Sequence, residues 1–146
     1  MTPTPATVLQ GGRRKAFRPL SEARRREAFR AGLAAYRRGD FFEAHELLEP
    51  AWMGTDDVAE RELHQGLIKL AAGFVHAVRG NRAGIAKNLT GARDRLTGAI
   101  TGGADTDLDL ARLVADIDGL LAALAAGDLV GISDAPRIRT RRSTRR

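Results

Sequence analysis

The chemistry this sequence can offer is concentrated in two short polar clusters. His45-Glu46-Leu47-Leu48-Glu49 places His45 and Glu49 one helical turn apart, on a face that continues to Trp52. Glu60 and His64 repeat the one-turn relation and are followed by Gln65. Imidazole with carboxylates is a divalent-metal donor set, and facing helices supply such sets in helical cores. The same groups suit a general base oriented by a carboxylate. If the helices carrying them pack antiparallel, the clusters lie near their connection and converge. The spacing still departs from established patterns. His45-Glu46 begins like a zinc-peptidase motif, but Glu49 stands where the second His belongs. The Glu-x-x-His of ferritin-like sites is absent. A structural role competes, with Glu49 accepting from His45 or a neighbouring helix end beside Trp52.

Five helical segments must position these groups. Ser21 caps the first, which places Phe29, Leu33 and Tyr36 on one stripe as far as Arg38. Gly39 ends it, and Asp40 with Glu43 caps a second that stops near Trp52 to Gly54. Asp57 and Glu60 start a third, with Leu63, Leu67, Leu70, Phe74 and Val78 before Gly80. Asn81 caps a fourth through Ile85, Leu89, Ala92, Leu96 and Ile100, broken at Gly102-Gly103. Thr106 and Asp109 cap a fifth, striped by Leu110, Leu113, Ile117, Leu120, Leu121 and Leu124. Nothing alternates with period two, so strands are not expected. The fold class is all-α, about five helices packed as antiparallel hairpins.

An internal echo supports hairpins. Ala31-Gly32-Leu33 up to Arg38-Gly39-Asp40 aligns with Ala72-Gly73-Phe74 up to Arg79-Gly80-Asn81. The first copy is similar to a tetratricopeptide helix pair, but two copies are too few for a solenoid. Gly66, Gly73 and Gly80 are seven apart, as are Gly84, Gly91 and Gly98, so each set forms one bare helix line. Close approach of helices three and four, or of helix two onto Gly66, is the expected reason.

Net charge is +6, but the basic character belongs to the ends. Residues 1–20 carry four cations and no acid, and 136–146 carry six arginines. Residues 21–135 hold 14 basic residues against all 18 acidic ones. Both ends lack apolar periodicity, so 1–20 and 136–146 are expected to be disordered and basic, flanking one helical domain at 21–135. Such tails bind nucleic acid or acidic surfaces weakly and non-specifically, or merely solubilise. Arg24, Arg25 and Arg26 read as a solvated helix face. There is no cysteine, which excludes disulfides and thiolate metal sites. No run approaches the roughly 18 apolar residues of a membrane helix, so a cytoplasmic location is the default expectation.

The residues Phe42-x-Ala44-His45-Glu46-x-Leu48-Glu49-x-x-Trp52, then Gln65-Gly66-Leu67-Ile68-x-x-Ala71, resemble a family catalogued as domain of unknown function 309. His76, Arg79-Gly80-Asn81, Gly84 and Leu89 continue the resemblance, which covers roughly residues 28 to 100. It implies an all-α bundle and brings no activity with it. Lys69 departs from the neutral residue expected there and sets a basic group beside the candidate site. The leading expectation is a polar pocket between helices two and three that binds a divalent metal or small ligand, a site that would allow hydrolysis without requiring it. Its ligand candidates are His45, Glu46, Glu49, His64 and Gln65, with Phe42, Trp52, Gly66 and Lys69 lining or packing. The alternative is a non-catalytic interaction module that receives a partner peptide or helix. His76 is expected to complement the dipole at the end of helix three.

Overall fold

The structure, a computed structural model, describes residues 6–10 and 13–141, with side chains from Arg18 onward. Five helices follow one another: α1 (Glu22–Arg37), α2 (Phe41–Met53), α3 (Val58–Val78), α4 (Arg82–Thr101) and α5 (Leu110–Ala125). The sequence signals act where they stand. Ser21, Asp40, Asp57, Asn81 and Asp109 each accept a backbone N–H from the first turn of their helix. Gly39 and Gly80 take positive φ, 84° and 68°, where the chain turns from α1 into α2 and from α3 into α4.

The central element is α3, which packs most extensively on α4 and also on α2. Bare helix lines make the first contact possible. A methyl group on Gly66 would sit 2.7 Å from Leu96 Cδ2, and one on Gly73 would sit 3.3 Å from Leu89 Cδ2. Helix α4, not α2, is therefore what approaches Gly66. Gly32 does the same for α1 and α2, since a Cβ there would meet Leu48 Cγ at 2.5 Å. Phe74, Leu48, Leu67, Leu70, Leu89, Leu96, Leu113 and Ile117 are fully enclosed, so one core runs through all the hairpins.

Both ends of the chain depart from the expected disorder. An antiparallel pair, β1 (Ala6–Gln10) and β2 (Arg13–Phe17), precedes the helices, with Ala6 opposite Phe17 and Gln10 opposite Arg13. The signal was Gly11-Gly12 between two short runs, a hairpin pattern outweighed by the polar composition. Residues 18–20 then run along the end of α2, with Arg18 N donating to Met53 O and Leu20 N to Gly54 O. At the other end the chain is held as far as 141. Tyr36 Oη donates to Pro136 O at 2.7 Å, Asp109 N to Arg139 O, and Arg141 N to Asp107 O. Ile138 is only 5% exposed and belongs to the core, so the packed unit does not stop at residue 135. One apolar residue among arginines gives no period to read, yet it suffices to dock the segment. The expectation of disorder at 1–5, 11–12 and 142–146 falls outside the described residues. No described helix is long and apolar enough to cross a membrane.

Candidate functional site

His45, Glu46 and Glu49 come together on α2. One donor atom from each lies within 4.8 Å of the others, and all three residues remain partly or fully open to solvent. His45 Nδ1 and Glu46 Oε1 are 3.4 Å apart. The buried face of α2 is Phe41, Ala44, Leu48, Ala51 and Trp52, so His45 and Glu49 flank it at the surface. Glu46 and Glu49 also line an open cleft of about 360 Å3, whose other walls are Pro50, Met53, Leu20 and Arg18. The strap at 18–20 therefore sets a cation opposite the carboxylates. Pro50 has no N–H to donate to the Glu46 carbonyl one turn back, which leaves α2 a locally weakened ladder at this cleft.

The Glu60–His64 pair lies elsewhere. Its face of α3 turns toward α1, where the His64 ring meets Phe29 edge-on with centroids 5.2 Å apart. Glu60 accepts from three donors: Arg25 Nε at 2.9 Å, Thr55 Oγ1 at 3.1 Å and His64 Nε2 at 3.3 Å. The bond from His64, assisted by Arg25 and opposed by burial, holds the Glu60 carboxyl at about 2. An ionised carboxylate only accepts, so Nε2 of His64 carries the proton. Its Nδ1 is buried and has no hydrogen-bond partner. Glu60, His64 and Arg25 line a separate cavity of about 150 Å3 with Phe29 and Thr106. The expected convergence of the two clusters does not occur, because α3 presents Glu60 and His64 to α1 rather than to α2.

A comparison with known families bears on the segment that holds both clusters. Residues 29–88 match the family model described as "Domain of unknown function (DUF309)". Over those residues the chain is similar to that family. No curated protein and no solved structure matches the chain. The DUF309 segment contains all of α2 and α3, with parts of α1 and α4 at its borders.

Within the DUF309 segment, the remaining candidates divide between packing and surface. Trp52 is 9% exposed, and the Arg61 guanidinium carbon lies 4.9 Å from its ring centroid. Arg61 Nη1 donates to Trp52 O and Thr55 O, closing the α2–α3 connection around a buried cation. Phe42 is 62% exposed. Gln65 is half-buried on α3 and joins neither cluster. Lys69 lies over α4, its Cδ 2.8 Å from where a Gly91 Cβ would be, and not beside His45. His76 ties the α3–α4 turn: its Nδ1 accepts from Asn81 Nδ2 at 3.1 Å, and its ring fills the space a Gly84 side chain would need.

Sequence reasoning missed Arg25 and Arg61. Arg25 is not a solvated cation; it bonds Glu60 and also Leu20 O at 2.6 Å. The available signal was spacing, since Arg25 stands one turn before Phe29 and extends the stripe of Leu33 and Tyr36 toward α3.

Proposed function

We propose that the DUF309 segment binds a divalent transition metal through His45, Glu46 and Glu49, with open coordination positions facing the adjacent cleft. The observation that carries this reading is the convergence of one imidazole and two carboxylates from a single stretch of α2. Donors bound at roughly 2.0–2.2 Å to one ion lie at most about 4.4 Å apart. Donor atoms already within 4.8 Å of one another need shift by at most a few tenths of an ångström to meet one ion. Rotation of the partly exposed carboxylates supplies that adjustment. Three protein donors leave positions for water or a ligand, and hydrolysis by a metal-polarised water is the chemistry such an ion supplies. Arg18 across the cleft favours an anionic ligand on the open side.

The test is a thermal-shift series on wild type and Glu49→Gln with zinc, manganese and nickel. At about 100 times the dissociation constant, a bound ion adds roughly 2.7 kcal/mol to stability. Wild type is expected to gain several degrees with at least one ion, and Glu49→Gln to lose that gain while folding normally. If no ion stabilises the wild type, the metal reading is wrong.

A further inference from the structure

A second cleft, away from the metal candidate, carries charge of one sign. It is about 470 Å3 in volume and lies between the α1–α2 turn and the segment after the short 3-10 turn Ile132–Asp134. Arg37, Arg137 and Arg139 line it, and no acidic residue does. Its floor is apolar, built from buried Tyr36, Phe41 and Ile138. The neighbouring acids are otherwise engaged. Asp134 accepts from Gly131 N, and the Asp109 carboxylate caps α5. Among the described residues neither Arg137 nor Arg139 has an acidic partner.

The segment is fixed rather than loosely attached. Arg37 Nη2 donates to Ile138 O at 2.6 Å, Tyr36 Oη holds Pro136 O, and Thr140 bridges antiparallel to Leu108. Pro136 and Ile138 point inward, so Arg137, Arg139 and Arg141 all stand exposed on the outer face. In extended chain, alternate residues recur about every 6.6–6.8 Å. Arg137 and Arg139 thus share the cleft with Arg37 on a fixed backbone, while the Arg141 guanidinium donates to Thr106 O at 2.7 Å.

The geometry points to this cleft as a binding site for the phosphate backbone of single-stranded nucleic acid. Neighbouring cations along one stretch of chain suit a linear polyanion better than one compact anion. Tyr36 and Phe41 are buried within the floor, Tyr36 stacked edge-on against Phe41, so no ring is free for stacking and binding is independent of sequence.

Fluorescence anisotropy of the full chain with a labelled mixed-sequence DNA strand of about 20 nucleotides tests this, titrated between about 50 and 200 mM salt. Arg137→Ala/Arg139→Ala is expected to weaken binding at least tenfold at low salt. It should also lower the slope of log affinity against log salt by about 1.4, at about 0.7 per lost phosphate contact. Arg24→Ala/Arg30→Ala, on exposed α1 positions, changes net charge equally and should stay within about threefold of wild type. Unchanged melting temperatures for both variants confirm that the fold is kept. Equal losses in the two variants overturn the proposal, because net charge alone would then explain binding. So does absence of wild-type binding at low salt, or tighter binding to acidic-lipid vesicles or polyglutamate at equal charge concentration.

Discussion

Replacing Glu60 with Gln removes the charge on which Arg25, Thr55 and His64 converge, and the effect should depend on pH in a defined direction. The carboxyl is held at about 2 in the fold against an ordinary 4.5. Its contribution is therefore fully present above about 4.5 and is lost as pH falls toward 2. At 1.36 kcal/mol for each factor of ten, the difference is worth at most about 3 kcal/mol. The side chain is 28% exposed, so solvent screening reduces this to about 1–2 kcal/mol. In a chain of this size, that is a melting-temperature difference of roughly 2–8 °C. The assay is thermal unfolding of wild type and Glu60→Gln, followed by circular dichroism from pH 7 to pH 2. The variant should melt lower at pH 7, and the two curves should close on each other below pH 4.5. Taking the difference removes the background from other carboxylates. A gap that stays constant down to pH 2 would refute the assignment of Glu60 as a charge stabilised by its partners.

Gly66→Ala places a methyl group against Leu96 at the α3–α4 contact, and overpacking there should cost about 1–3 kcal/mol in urea unfolding, despite the better helix propensity of Ala. A stabilised variant would show that the close approach is not needed. Removing residues 136–146 should lower the melting temperature by several degrees, since it takes Ile138 out of the core and leaves the Tyr36 hydroxyl without its acceptor, worth together about 2–4 kcal/mol. An unchanged melting temperature would mean that the segment is not docked in solution.

Helix boundaries were legible in the sequence because each rests on local chemistry. Ser21, Asp40, Asp57, Asn81 and Asp109 can satisfy N-terminal N–H groups from their own position, so residue type alone marks the start. Gly39 and Gly80 mark stops for an equally local reason. The seven-residue glycine lines gave the α3–α4 contact, since a bare line has little use except close approach. What escaped depends on rotation of one helix against another. His64 could face α2 or α1 with the same sequence spacing, and only the packing of Phe29 decides. Arg25 escaped because three consecutive arginines look alike until one is known to lie over Glu60. The docking of 136–141 escaped because its bonds are to backbone carbonyls and amides, which carry no residue signature.

The bond from Tyr36 to Pro136 spans 100 residues, and the one from Arg37 to Ile138 spans 101. These two contacts give the fold a schedule during synthesis. At about 5–20 residues per second, the acceptors leave the ribosome roughly 5–20 s after α1 does. In that interval the hairpins α1–α2 and α3–α4 can close, since their contacts are local and form early. Tyr36 meanwhile packs on Phe41 of α2 but lacks the cover of Pro136 and Ile138, so burial has still to push its phenol fully upward. A nascent chain halted before residue 136 is thus helical and partly packed, with the Tyr36 hydroxyl at the end of α1 still without its acceptor. Arrival of residues 136–138 then closes the end of α1.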